Sequence, residues 1–199
     1  KGYDWYLKGK LNTKQATFDD FVDCGQALSA RGYTACGQII AHGGSAGGLL
    51  VGAALNQAPD LFGGVIGAVP FVDVLTTMSD ATLPLTPPEW PEWGNPITDP
   101  KAYARIAAYS PYDNIVDANY PPVLITGGLS DPRVTYWEPA KWAAKLREHQ
   151  MSSAPITLKI NMDAGHQGES GRYTRLAETA LEFAFAITAA SSPREDAAG

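Results

Sequence analysis

Short apolar runs of strand length alternate along this chain with segments whose apolar residues recur at helical spacing. Phe18, Phe21, Val22, Gly25 and Leu28 predict a helix from Thr17 to about Gly32, with Thr17 and Asp20 spaced as a capping box and Gly32 able to end it. Residues 1–15 are polar around Tyr3, Trp5 and Tyr6 and predict a loop leading into that helix. From Gln38 an apolar run meets Gly43-Gly44-Ser45-Ala46-Gly47-Gly48, and the small and apolar residues beyond predict a helix ending near Pro59 and Asp60. Further strands are predicted at Gly64 to Val72, Pro121 to Thr126 and Ile156 to Met162, the last running into Asp163-Ala164-Gly165-His166. Trp137 to about Gln150 sets Ala140, Trp142, Ala143 and Leu146 against Lys141, Lys145, Arg147 and Glu148, the pattern of an amphipathic surface helix. A closing helix is predicted from Tyr173 to about Ile187, and the small, polar tail 188–199 is predicted to be disordered. Between residues 76 and 120 the prolines, from Pro84 to Pro111, predict an irregular excursion without long regular elements.

Strands alternating with helices predict an α/β fold with one mostly parallel sheet of four strands, whose carboxyl-end loops share an edge. A length of 199 residues and 45% hydrophobic content suit one compact domain. The net charge of −6 without a Lys/Arg cluster excludes a nucleic-acid footprint and favours cationic ligands. No apolar run approaches the roughly 18 residues of a membrane span, so no membrane partner is expected. Cys24 and Cys36 have no Cys-x-x-Cys spacing and predict free thiols in a reducing, cytoplasmic setting.

The strand, Gly-x-Ser-x-Gly and helix order predicts a tight turn that projects the Ser45 hydroxyl from the sheet edge. The residues two before and two after it, Gly43 and Gly47, are then expected to be nearly side-chain-free to avoid a clash. The helix N-terminus behind Ser45 offers free N–H groups, Ala46 N–H being the natural donor to an oxyanion. A serine hydroxyl is a weak nucleophile at neutral pH; it needs an imidazole to take its proton and an acid to orient that imidazole. Asp131 and His166 occupy loops after the third and fourth predicted strands, and the order Ser, Asp, His is that of α/β-hydrolases. Taken alone, Asp131 before Pro132 also reads as a turn cap. Asp163 is a rival acid but lies close in sequence to His166; His149 falls on an exposed helix side, and His42 is expected to be packed in the first strand.

Gly43-Gly44-Ser45-Ala46-Gly47-Gly48, Pro111-Tyr112-Asp113-Asn114, Asp131-Pro132-Arg133-Val134 and Gly165-His166, spaced as here, resemble the catalytic domain of the prolyl oligopeptidase family. The Glu-Trp-Gly-Asn-Pro run and Tyr136-Trp137-Glu138-Pro139-Ala140-Lys141-Trp142 resemble its oligopeptidase B branch. The likeness covers roughly residues 1–187. It implies an α/β-hydrolase fold truncated on its N-terminal side, with Ser45 as nucleophile, His166 as base, Asp131 as orienting acid and Arg133 binding substrate backbone. It implies an endopeptidase that cuts short peptides after Lys or Arg, needs no metal or other cofactor, and receives the basic side chain on glutamates. In the corresponding run Glu89 is kept, the second glutamate is Pro91, and Glu92 follows. The family's N-terminal β-propeller and the tyrosine that completes its oxyanion hole have no counterpart in this sequence. The triad equally serves a prolyl-specific peptidase or a carboxylesterase, and a reading of another class is an inert binding domain.

Overall fold

The computed structural model describes residues 2–168 and 172–191. Four strands, β1 (Ile39–Gly44), β2 (Phe62–Ala68), β3 (Val123–Gly128) and β4 (Ile156–Asn161), form one all-parallel sheet in the order β1-β2-β3-β4. Register aligns the strand ends: Gly44 pairs with Ala68, Ala68 with Thr126, and Gly128 with Asn161. Residues 45, 69, 129 and 162 therefore start their loops along one edge. The two inner strands are the most apolar, because helices cover both of their faces. Val65 and Ile125 are fully buried, and alternation along β2 separates the layers. A Cβ on Gly64 would meet Ala189 and Phe185, whereas one on Gly67 would meet Trp142.

The helix α8 (Arg172–Ser191) thus lies on one face of the sheet, and α7 (Trp137–His149) on the other together with α3 (Ala46–Gln57). In front of α3 packs α2 (Gln15–Ala30). Trp142, Leu146, Val51 and Leu55 fill the core between sheet and helices, burial that stabilises by roughly 1.5–3 kcal/mol for each large side chain.

Several expectations are corrected. The first segment holds a short helix, α1 (Tyr3–Leu7), and a 3-10 turn at Leu11–Thr13 instead of a loop. The capping box does not form: α2 begins at Gln15, and the Thr17 hydroxyl donates to Gly9 O at 3.0 Å. Residues 76–120 hold most of three helices: α4 (Val74–Met78), α5 (Thr86–Trp93) and α6 (Pro100–Tyr109). Prolines stand in the first turns of α5 and α6, where a missing N–H is no loss. The closing helix continues to Ser191, so residues 188–191 are helical rather than a disordered tail; residues 192–199 lie outside the described residues. No helix among the described residues is long and apolar enough to cross a membrane.

Candidate active site

Ser45 sits between the end of β1 and the start of α3 with φ 54° and ψ −119°, a positive φ that is uncommon for a residue with a Cβ. Such a conformation costs about 1–3 kcal/mol and persists only when its surroundings impose it. Here Ser45 N donates to Ala68 O at 2.9 Å, and Ser45 O accepts from Gly48 N at 2.9 Å and Phe71 N at 3.0 Å. The adjacent glycines have separate reasons. A Cβ on Gly43 would come within 2.0 Å of Gly47 O, and one on Gly48 within 2.4 Å of Pro70 Cβ. A Cβ on Gly47 would meet nothing within 4 Å, so the expected steric need for glycine there is not met by this structure. As the first residues of α3, Ala46 and Gly47 have N–H groups without intrahelical partners, and Ala46 is exposed.

Asp131 follows β3 and is buried. Its Oδ1 accepts from Arg133 N at 2.8 Å and Val134 N at 3.0 Å, which fixes the carboxylate; its Oδ2 lies 2.7 Å from His166 Nδ1. The loop carrying His166 is folded back over β3 by Ser130 N donating to Ala164 O at 3.2 Å. Gly128 lies under that loop, because a Cβ there would come within 2.6 Å of Ala164 O. Asp131 and His166 are thus brought together, and Ser45 stands at the same edge of the sheet. Among the described residues no hydrogen bond joins the Ser45 hydroxyl to His166. The rival acid Asp163 is exposed, and among the described residues no hydrogen bond or ion pair joins its carboxylate to His166. His149 pairs with Asp117 at 2.6 Å, remote from this edge. His42 is not packed inside the strand as expected: its side chain is 52% exposed and lies 3.7 Å from Glu182, because alternation along β1 turns it toward α8.

The remaining predicted residues divide. Glu89 Oε2 accepts from Trp93 Nε1 at 2.8 Å one turn along α5, leaving Oε1 without a partner among the described residues. The Trp93 ring lies 5.6 Å from that of Phe71, the residue whose N–H holds Ser45 O. Glu92, by contrast, is already occupied: it pairs with Lys14 at 3.3 Å and accepts from the Tyr6 hydroxyl at 2.7 Å. The Lys14 ammonium also lies over the Trp93 ring, 4.5 Å from its centroid. Arg133 is exposed, and its guanidinium has no ion pair among the described residues. A cavity of about 300 Å³ opens beside His166, walled by Lys159, Asn161, Arg175, Glu178 and others, but Ser45, Glu89 and Arg133 are not on its walls.

Sequence reasoning missed Glu138. It lies in the first turn of α7 and is 1% exposed. Its Oε2 accepts from Val72 N at 3.1 Å and Asp73 N at 3.0 Å, and its Oε1 from the Thr77 hydroxyl at 2.7 Å. Burial pushes its carboxyl up to about 7 against the opposing pull of these bonds. Asp73, also buried, forms an ion pair with Lys141. One signal was present in the sequence: Glu138 stands four and eight residues before Trp142 and Leu146, on the buried stripe of α7.

The sequence pattern of the prolyl oligopeptidase family matches residues 1–192. Protease 2 of Moraxella lacunata is 48% identical over 94% of this chain and 27% of its own length. Dipeptidyl aminopeptidase BI of Pseudoxanthomonas mexicana is 47% identical over 94% of this chain and 26% of its own. Oligopeptidase B from Trypanosoma brucei, solved in a closed form with covalently bound antipain, superposes with a TM-score of 0.90 at 47% identity, over 94% of this chain and 26% of that one. The chain spans about a quarter of the length of the relatives it matches. With the sheet order and the loop placement of Ser45, Asp131 and His166 described, this chain belongs to the prolyl oligopeptidase family.

Proposed function

We propose that this chain carries the nucleophile, acid and base of a serine peptidase that cleaves short peptides after Lys or Arg through an acyl-enzyme. The observation that carries the reading is the His166 to Asp131 contact of 2.7 Å at the sheet edge where the strained turn presents Ser45. In the reaction, Ser45 Oγ attacks the scissile carbonyl while His166 Nε2 takes the hydroxyl proton and Asp131 stabilises the imidazolium. The carbonyl oxygen, now an oxyanion, accepts from Ala46 N–H. Collapse expels the amine, which takes the proton from His166, and leaves the acyl group on Ser45. Water attacks next, with His166 again as base, and frees the second product. The side chains of Ser45 and His166 close to hydrogen-bonding distance when substrate binds, as catalytic contacts commonly do.

Selectivity for a cation is supported by Glu89 on α5, whose Oε1 has no partner among the described residues and whose Oε2 is bonded to Trp93, the ring that packs on Phe71. A carboxylate aimed at a substrate cation discriminates strongly, because a neutral side chain leaves it unpaired. Glu92 is neutralised by Lys14 and serves instead to hold α5 to the N-terminal segment. The exposed guanidinium of Arg133, without an ion pair among the described residues, is suited to the substrate backbone. The rest of the enzyme, with a β-propeller that admits only short peptides and a second oxyanion donor, is part of the proposal. Loss of one such donor typically costs about 10²–10³ in rate, so residues 1–199 alone are expected to turn over little.

The relative named dipeptidyl aminopeptidase supports a second reading, removal of dipeptides from a free N-terminus. The test uses the protein carried to the full length of its reading frame, with Arg, Pro and simple ester substrates, each blocked or free at the N-terminus. Preference for blocked Arg peptides supports the first reading; preference for free dipeptidyl substrates supports the second, and preference for Pro or uncharged esters overturns both. Failure of a fluorophosphonate to label Ser45 would favour an inert domain.

A further inference from the structure

The segment Val69–Asp73, which leaves β2, touches the reactive turn at several points. Val69 holds a φ of 44°, unusual for a β-branched residue, with its N–H donating to Thr126 O at 2.9 Å. Pro70 lies against Gly48, Phe71 N–H donates to Ser45 O at 3.0 Å, and the Phe71 ring packs on Trp93 of α5. The far end of this segment is held from beneath by the buried carboxylate of Glu138, which accepts from the N–H groups of both Val72 and Asp73. Tyr112 N donates to Val72 O at 3.0 Å, and Asp73 pairs with Lys141, so that end is fixed from three sides. The second Glu138 oxygen accepts from the Thr77 hydroxyl, and Thr77 O accepts from the hydroxyl of Thr86 at 2.8 Å, at the start of the helix that bears Glu89.

From this geometry we infer that Glu138 is a positioning residue, which sets Ser45 through Val69–Asp73 and couples the reactive turn to α5 through Thr77 and Thr86. The inference rests on the peptidase reading above. It assigns the role to reach rather than to charge. Glutamine has the same length, and its carbonyl can accept from Val72 and Asp73 while its amide donates to the Thr77 hydroxyl. Aspartate keeps the charge but is one methylene shorter and cannot hold all three donors at once.

The test compares Glu138→Gln, Glu138→Asp and Glu138→Ala in the protein carried to the full length of its reading frame. Turnover of an Arg peptide is expressed per active site titrated with fluorophosphonate, so that loss of folded protein does not count as loss of rate. Glu138→Gln is expected within about threefold of the parent, and Glu138→Asp and Glu138→Ala at least about tenfold lower in kcat with KM little changed, since misplacement by about 1 Å costs about 10²-fold. Should Glu138→Ala fail to fold, the Gln and Asp variants still decide. The inference is overturned if the Asp variant matches the parent, or if the Gln variant falls as far as the Asp variant. In both experiments Ser45→Ala is the control. A parent protein whose Ser45 is not labelled removes the peptidase reading and this inference with it; a labelled parent whose variants all turn over at its rate removes the role of Glu138 alone.

Discussion

The two glycines flanking Ser45 in the Gly-x-Ser-x-Gly turn are interchangeable in the motif but not in the structure, and replacing each with alanine separates them. An alanine at 43 places its Cβ 2.0 Å from Gly47 O and 2.5 Å from Gly47 C, both backbone atoms of the first turn of α3. Restoring even the 3.0 Å that real Cβ atoms keep requires a shift of about 1 Å in backbone that already carries the positive φ of Ser45. Overpacking of this kind costs about 1–3 kcal/mol, and because the obstacle is backbone the upper figure applies. For a domain of this size about 3 kcal/mol lowers Tm by about 6–12 °C. The same shift displaces Ser45, which costs about 10²-fold in reaction rate. An alanine at 47 meets nothing within 4 Å, and in a helix alanine is better than glycine by up to about 1 kcal/mol. Thermal unfolding, followed with the rate of labelling by a small fluorophosphonate, reads both effects. Gly43→Ala is expected to lose about 6–12 °C and about 100-fold in labelling rate, whereas Gly47→Ala stays within about 3 °C and tenfold. A Gly47→Ala variant that loses as much Tm as Gly43→Ala would refute the reasoning.

Asp131→Asn keeps an oxygen for the N–H groups of Arg133 and Val134 but turns an amide donor toward His166 Nδ1, which forces the wrong tautomer. Turnover is expected to fall by about 10³–10⁴ at pH 7 with Tm changed by only a few degrees, so a variant within tenfold of the parent would remove Asp131 from the triad. His42→Gln is expected to leave kcat/KM within about twofold while His166→Gln abolishes turnover, because His42 is half exposed against Glu182. For Glu138, a carboxyl raised to about 7 from 4.5 binds its proton more tightly in the folded state, so the stability it contributes is complete below pH 4.5 and lost as pH rises to 7. Denaturant unfolding of the parent is therefore expected to weaken by about 2–3 kcal/mol relative to Glu138→Gln between pH 4.5 and 8, and a difference that does not change with pH would remove the titration of Glu138 from the account.

The four strands, the helices α2, α3, α7 and α8 that flank them, the parallel sheet and the loops bearing Ser45, Asp131 and His166 were legible in the sequence, because each rests on local signals, whereas the short helices α1 and α4 to α6 were not. Apolar runs bounded by glycine and proline mark strands, and a parallel sheet with helical crossovers brings every carboxyl-end loop to one edge. The pairing of Asp131 with His166 was decided only by the fold, since a turn cap and a catalytic acid have the same local sequence. Here one carboxylate oxygen caps Arg133 and Val134 while the other faces the imidazole, so the cap does not exclude the acid's part in the proposed triad. Which glycine is indispensable depended on what lies across from it, Gly47 O for Gly43 and Pro70 for Gly48. The occupation of Glu92 depended on Lys14 and Tyr6, which are 78 and 86 residues away in the chain. Glu138 was the most hidden, because a charged residue on an amphipathic helix reads as solvated. Only the tertiary structure shows that its buried stripe meets three donors, the N–H groups of Val72 and Asp73 and the Thr77 hydroxyl, that would otherwise lack partners away from water.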